Sequence, residues 1–156
     1  MKNIQIVFIV VVSIIILTAW NSSTTQLLKV EDIASMQVVG GLASTKPSHL
    51  YQSTEEIGKI TITKIVDWIN SSKPIGGQKE YGKHGYPMVI EIKKNDGKII
   101  TIEPAYNCVT KTYAGGRTKT CISVKGEIVL SIDSDRIRAE SPELYDWLKE
   151  GWKKEK

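Results

Sequence analysis

The longest apolar run in the chain lies at its N-terminus. Residues 4–20 read IQIVFIVVVSIIILTAW, and none of these side chains is charged. A helix of this length spans about 25 Å at a rise of about 1.5 Å per residue, close to the lower limit for crossing a bilayer. In lipid the backbone can hydrogen-bond only to itself, which favours a helix despite the many β-branched residues. We therefore predict a transmembrane signal anchor over residues 1–20, with the lipid bilayer as a partner through residues 4–20.

The charges around this run predict its orientation. Lys2 precedes it, whereas residues 21–26 carry no charge. The positive-inside rule then places the N-terminus in the cytoplasm and the rest of this single-pass protein outside the cell membrane. A cleavage site after Ala19 leaves a second interpretation open, in which a signal peptide is removed and the domain is secreted. Residues 21–28 are predicted to form a linker, and residues 29–156 one extracytoplasmic domain.

Alternating apolar and polar positions predict β-strands in this domain. Ile90 and Ile92 alternate with other residues, as do Ile100 and Ile102, on either side of the turn sequence at residues 95–97. A two-residue turn would place isoleucines opposite polar residues. A three-residue loop with a left-handed glycine instead pairs Ile92 with Ile100. We predict this second register because opposite residues in a hairpin share a face.

Shorter patterns predict the remaining strands. The first strand is predicted at residues 35–41, followed by a loop at residues 42–52. The segments 122–124 and 128–132 are predicted to pair as a second hairpin around a Lys-Gly turn. Residues 136–139 are predicted to add a short edge strand.

One helix is predicted in the first half of the domain. Apolar residues recur within residues 62–69 at the spacing of one helical face. Two starts remain open: a long helix in which Ser53 and Glu56 form a capping box, or a shorter helix preceded by an extended segment at residues 59–63. Either helix is expected to end before Lys73–Pro74.

A second helix is predicted near the C-terminus. Ser141 suits the N-cap, Pro142 suits the first helical position, and an apolar stripe follows at Leu144, Trp147 and Leu148. The predicted fold class is therefore α+β. It consists of an N-terminal transmembrane helix and a small antiparallel β-meander domain with two packed helices.

The two cysteines of the chain are predicted to form a disulfide. If Ala114 and Gly115 form a two-residue turn, counting outward places Cys108 opposite Cys121 in a non-hydrogen-bonded pair. The Cα atoms of such a pair lie about 4.5 Å apart, within disulfide reach. A cysteine pair outside the cytoplasm is expected to be oxidised. Redox-active pairs lie closer together in sequence at a helix start, so we predict a structural bond.

The charge balance restricts the classes of partner. The chain has 21 basic and 17 acidic residues, a formal net charge of +4. This mildly basic mixture is far from the footprint of a nucleic-acid-binding protein, and no nucleic-acid partner is predicted. It suits an anionic envelope component or another envelope protein.

Motifs of catalysis are absent from the sequence. It contains no G-x-S-x-G, P-loop, dinucleotide fingerprint or H-E-x-x-H motif. His49 and His84 are too few for a zinc site, and Asp133 with Asp135 lacks the further oxygens of a calcium loop. We predict no catalytic residue, metal or cofactor.

The most unusual segment is the glycine-rich stretch at residues 76–87. It carries five candidate binding residues: Lys79, Tyr81, Lys83, His84 and Tyr86. Tyrosine and lysine are common in recognition surfaces, although a long connecting loop is the other interpretation. The leading hypothesis is a membrane-anchored, non-enzymatic binding or inhibitory module of a bacterial cell envelope. The alternative is a small extracytoplasmic hydrolase using His84 with a carboxylate.

Overall fold

The computed structural model describes residues 27–40, 47–76 and 88–155 of the chain. Among these residues, no helix is both long and apolar enough to cross a membrane. The predicted anchor at residues 1–20 lies outside the described ranges, as does most of the predicted linker, and both stay predictions.

The described part contains seven strands and two α-helices. The strands are β1 (Ile33–Val39), β2 (Tyr51–Gln52), β3 (Lys73–Pro74), β4 (Val89–Lys94), β5 (Ile99–Tyr113), β6 (Gly116–Ile132) and β7 (Asp135–Glu140). The helices are α1 (Glu56–Asn70) and α2 (Pro142–Lys149), and short 3-10 turns lie at Val30–Asp32 and Gly151–Lys154. This arrangement confirms an α+β domain with two helices.

All seven strands belong to one antiparallel sheet in the order β2-β1-β4-β5-β6-β7-β3. The four consecutive strands β4 to β7 form a meander, as predicted. Strands β1 and β2 extend it on one side, and β3 extends it on the other. The segment at residues 136–139 is a strand, but β3 rather than β7 forms the edge of the sheet.

The β4–β5 hairpin has the predicted register. Ile90 pairs with Ile102, and Ile92 pairs with Ile100. Gly97 has a φ of +84°, the left-handed conformation that the three-residue loop requires. All four isoleucines are buried and contribute to the core. The alternation of apolar residues was therefore sufficient to select between the two turns.

The predicted hairpin between residues 122–124 and 128–132 is wrong. Both segments belong to the single strand β6, which pairs with β5 along most of its length. The register shifts between Pro104 and Tyr106, so that several residues of β6 bulge opposite Ala105. Gly126 lies in this bulge with a φ of +77°. A bulge glycine has the same sequence signature as a turn glycine, which explains the error.

Helix α1 begins at Glu56, so the longer of the two predicted helices is the correct one. The predicted capping box is not formed, because the Ser53 hydroxyl donates instead to the Ala34 carbonyl at 3.2 Å. Ser141 occupies the N-cap of α2 as predicted. Its hydroxyl donates to the Trp68 carbonyl at 3.4 Å, which joins the two helices rather than capping one.

The two helices cover one face of the sheet. Helix α1 buries Ile62, Ile65, Val66 and Ile69, and α2 buries Leu144, Trp147 and Leu148. They pack with the apolar face of strands β1 and β4 to β7 in one continuous core. The opposite face of the sheet carries mostly polar and charged side chains. A domain of this kind needs neither a metal nor further disulfides to bury an adequate core.

Candidate functional site

The distal half of the β5–β6 hairpin extends beyond the rest of the sheet. Strand β4 pairs with β5 only as far as Ile102, and β7 pairs with β6 only from Glu127 onward. The paired ribbon formed by residues 106–123, called the arm below, therefore has no neighbouring strand among the described residues. Its strands are about 25 Å long at roughly 3.3 Å per residue.

Most of the arm is exposed to solvent. Every residue from 109 to 120 is exposed, and three large apolar side chains are among the most exposed of the described residues. The exposed fractions are 71% for Ile122, 60% for Tyr113 and 59% for Val109. Scattered apolar residues on a surface are ordinary, but three on one short ribbon are not explained by the core.

The register divides the arm into two different faces. Val109 pairs with Thr120, Asn107 with Ile122, and Tyr113 with Gly116. Because opposite residues share a face and successive pairs alternate, the three exposed apolar side chains lie on one face. The other face carries the disulfide, Lys119 and Arg117. The arm thus has an apolar face and a cationic face.

The charges of the described residues are divided between the arm and the rest of the domain. Residues 104–126 contain four basic residues, Lys111, Arg117, Lys119 and Lys125, and no acidic residue. The other described residues contain 12 basic and 16 acidic residues. The arm and its base therefore carry +4, and the remainder of the described domain carries −4. This division favours an anionic partner for the arm.

The disulfide predicted from the turn is present in the arm. Cys108 and Cys121 are directly opposite each other with Cα atoms 4.1 Å apart, in the register that a turn at Ala114–Gly115 gives. An isolated two-stranded ribbon has little stability of its own in water. The bond therefore holds together a ribbon that the core does not support.

The base of the arm is held by a buried ion pair. Arg138 of β7 is 4% exposed and donates hydrogen bonds to the carboxylate of Glu127. The same guanidinium donates to the side-chain oxygen of Asn107 at 3.4 Å, where the arm begins. These contacts link the arm to the open face of the sheet and limit its rotation.

Removal of the disulfide is expected to loosen the arm while the core remains folded. In full-length protein with Cys108→Ser and Cys121→Ser, protease cleavage within residues 106–123 should become at least several-fold faster, because the closed loop no longer restricts the ribbon. The thermal transition of the core should shift little. In cells, alkylation without reduction should label neither cysteine of the wild type. Labelling of both would contradict the disulfide and its extracytoplasmic location together.

The five candidate binding residues between Lys79 and Tyr86 lie outside the described residues, so no contact can be assigned to them. The flanks of their segment are informative, however. Gly76 follows the edge strand β3, whereas Met88 precedes β4, four strand positions away. This separation is roughly 19 Å at about 4.8 Å per strand. The topology therefore requires a long connection, and length alone does not argue for a binding role.

A second feature is a cleft between the N-terminus of α1 and the C-terminal segment. It has a volume of about 660 Å³ and is lined by His49, Tyr51, Glu55, Glu56, Ile57 and Glu155. The His49 imidazole lies 3.7 Å from the Glu55 carboxylate, and its ring packs edge-on against Tyr51 with centroids 5.6 Å apart. Within the described ranges, no group of three His, Cys, Asp or Glu residues is arranged to hold a metal ion.

The C-terminal segment is held in place at this cleft by Glu155. Its carboxylate accepts a hydrogen bond from the Trp147 indole at 2.7 Å and forms an ion pair with Lys64. The nearby Tyr51 side chain is buried, and its hydroxyl has no hydrogen-bond partner among the described residues. Burial, and secondarily the negative charge of Glu155, raises the pKa of Tyr51. This phenol therefore stays neutral at physiological pH.

Comparison of the chain with protein-family models, with curated proteins and with solved structures found no match.

Proposed function

We propose that this chain is a non-enzymatic binding module of a bacterial cell envelope, anchored in the cell membrane by residues 4–20, whose arm contacts an anionic envelope component. The observation that carries the proposal is the arm itself. It adds a disulfide-closed ribbon to a domain whose core is complete without it, and it concentrates basic residues there. Such a structure has a physical purpose only if something outside the domain contacts it.

The position of the arm suits contacts made away from the anchor. The chain enters the sheet at Ile33, which pairs with Lys94 at the end of the sheet that carries the β4–β5 turn. The arm leaves the sheet at the opposite end. From Ile99 to Tyr113 strand β5 covers about 45 Å at roughly 3.3 Å per residue. An anchored domain could therefore reach a polymer or protein that lies beyond the lipid headgroups.

The arm also takes over the role first assigned to the 76–87 segment. The predicted partner class, an anionic envelope component, is the same, but the described residues that suit it are Lys111, Arg117 and Lys119. The hydrolase hypothesis rests on His84, which lies outside the described ranges, and it stays a prediction without further support.

Neutralising the arm is expected to abolish most of the binding to a phosphodiester polymer. The variant combines Lys111→Gln, Arg117→Gln and Lys119→Gln in the full-length chain, held in neutral detergent micelles. Each cation near an anionic surface contributes about 1 kcal/mol, so the affinity for polyglycerol phosphate at low salt should fall roughly 100-fold. The dissociation constant can be measured by light scattering or calorimetry.

The matched control removes the same charge from the body of the domain. Lys93→Gln, Lys149→Gln and Lys154→Gln change three exposed lysines and leave the arm intact. This variant should weaken binding only a few-fold, by the general loss of net charge. Phosphatidylglycerol vesicles distinguish a lipid source of phosphate from a wall polymer. An equal loss in both variants, or no wild-type binding to either probe, would reject the arm as an anion-binding surface.

A further inference from the structure

The cleft beside α1 contains a buried polar group that the fold leaves unsatisfied. Tyr51 is 1% exposed, yet its hydroxyl has no hydrogen-bond partner among the described residues. An unsatisfied buried hydroxyl typically costs about 1–3 kcal/mol, and native proteins contain few of them. Because Tyr51 lines an open cleft, a bound molecule can supply the missing partner.

The charges around the cleft indicate the sign of that molecule. Glu55, Glu56 and Glu155 contribute three carboxylates to its lining, and His49 is the only basic side chain that lines it within the described ranges. Lys64 pairs with Glu155 but does not line the cleft. The lining is therefore negative, and it favours a cation. The raised pKa of Tyr51 keeps its hydroxyl neutral, so the oxygen can accept a hydrogen bond from an ammonium group.

The shape and walls of the cleft favour an organic cation over a metal ion. The described residues provide no set of three metal ligands, and the volume of about 660 Å³ is in the range of small-molecule sites. Ile57 gives the cleft an apolar wall, and its side chain is 66% exposed. The rings of His49 and Tyr51 give it aromatic surface.

We propose that this cleft binds a small molecule that carries a protonated primary amine on an apolar or aromatic group. The Tyr51 hydroxyl accepts a hydrogen bond from the ammonium group, and the carboxylates of Glu55 and Glu56 neutralise its charge. Ile57 and the His49 ring contact the apolar part. This site is separate from the arm, and either can exist without the other.

The test compares three probes of equal size and different charge. Benzylamine, benzyl alcohol and benzoate are titrated into the full-length chain in detergent micelles, with ring-labelled tyrosine observed by NMR. Benzylamine should shift the Tyr51 signals saturably, and the other two probes should bind at least tenfold more weakly. Equal shifts by the alcohol, or no shift by the amine at millimolar concentration, would overturn the proposal.

Two variants separate binding from folding. Tyr51→Phe removes only the hydroxyl, so it should keep the melting temperature and weaken benzylamine binding about tenfold, measured on the labelled Tyr and Trp signals that remain. Glu55→Gln with Glu56→Gln should also weaken it about tenfold, since each half-exposed pair contributes up to about 1 kcal/mol. Glu143→Gln with Glu150→Gln is the matched control and should have no effect. A large fall in stability with Tyr51→Phe would show that the hydroxyl has a structural partner, and would also overturn the proposal.

Discussion

Gly58→Ala is expected to destabilise the domain by about 3 kcal/mol, although alanine is normally the better helix former by about 1 kcal/mol. Gly58 lies in the first turns of α1, where the helix packs directly on the backbone of β2. A Cβ atom at this position would lie 2.1 Å from the Gln52 carbonyl oxygen and 2.7 Å from the Gln52 nitrogen. Both are backbone atoms, so the clash cannot be relieved by a change of rotamer. The helix and β2 would have to separate.

Chemical denaturation followed by circular dichroism measures this loss. Lys59→Ala is the matched control, because it changes the adjacent, exposed residue of the same helix and should alter stability by less than about 0.5 kcal/mol. The cleft lies between these same elements, so Gly58→Ala should also weaken benzylamine binding. If Gly58→Ala is as stable as the wild type, α1 does not pack on Gln52 as described.

The second large effect is expected from Glu127→Ala, which should cost about 3–5 kcal/mol. The side chain of its partner Arg138 is only 3% exposed. Loss of the carboxylate would leave a buried guanidinium with the Asn107 amide oxygen at 3.4 Å as its remaining described partner. An uncompensated buried charge is far more costly than an absent one.

Two comparisons identify the cause of this loss. The double variant Glu127→Leu with Arg138→Met removes both charges, and it should recover most of the stability. Glu150→Ala breaks the exposed ion pair with Lys153 and should cost less than about 1 kcal/mol. If Glu127→Ala costs no more than Glu150→Ala, the pair at the base of the arm is effectively solvated and does not hold it.

The features that the sequence predicts well are those determined by local geometry. The register of the β4–β5 hairpin follows from four isoleucines and one glycine, and the disulfide follows from the position of a two-residue turn. In both cases the residues that decide the structure lie within about a dozen positions of each other in sequence. Tertiary contacts then agree with the local preference rather than override it.

The features that the sequence did not predict depend on distant residues. Nothing near Gly126 distinguishes a bulge from a turn, because the difference is made by Ala105 on the partner strand. As a result β6 was divided in two, and the length of the arm was missed. One signal was visible in the sequence: residues 104–126 contain basic residues and no acidic ones. The cleft could not be predicted, since Tyr51 and Glu155 come from opposite ends of the domain.

The division of charge gives the domain an electric dipole whose positive pole is the arm. Near a negatively charged polymer the domain would turn so that the arm arrives first, before any contact is made. Ionic strength would then mainly change how often productive encounters occur. The time spent bound would depend more on Val109, Tyr113 and Ile122, whose apolar contacts are insensitive to screening. The two faces of one ribbon thus separate the rate of capture from the duration of holding.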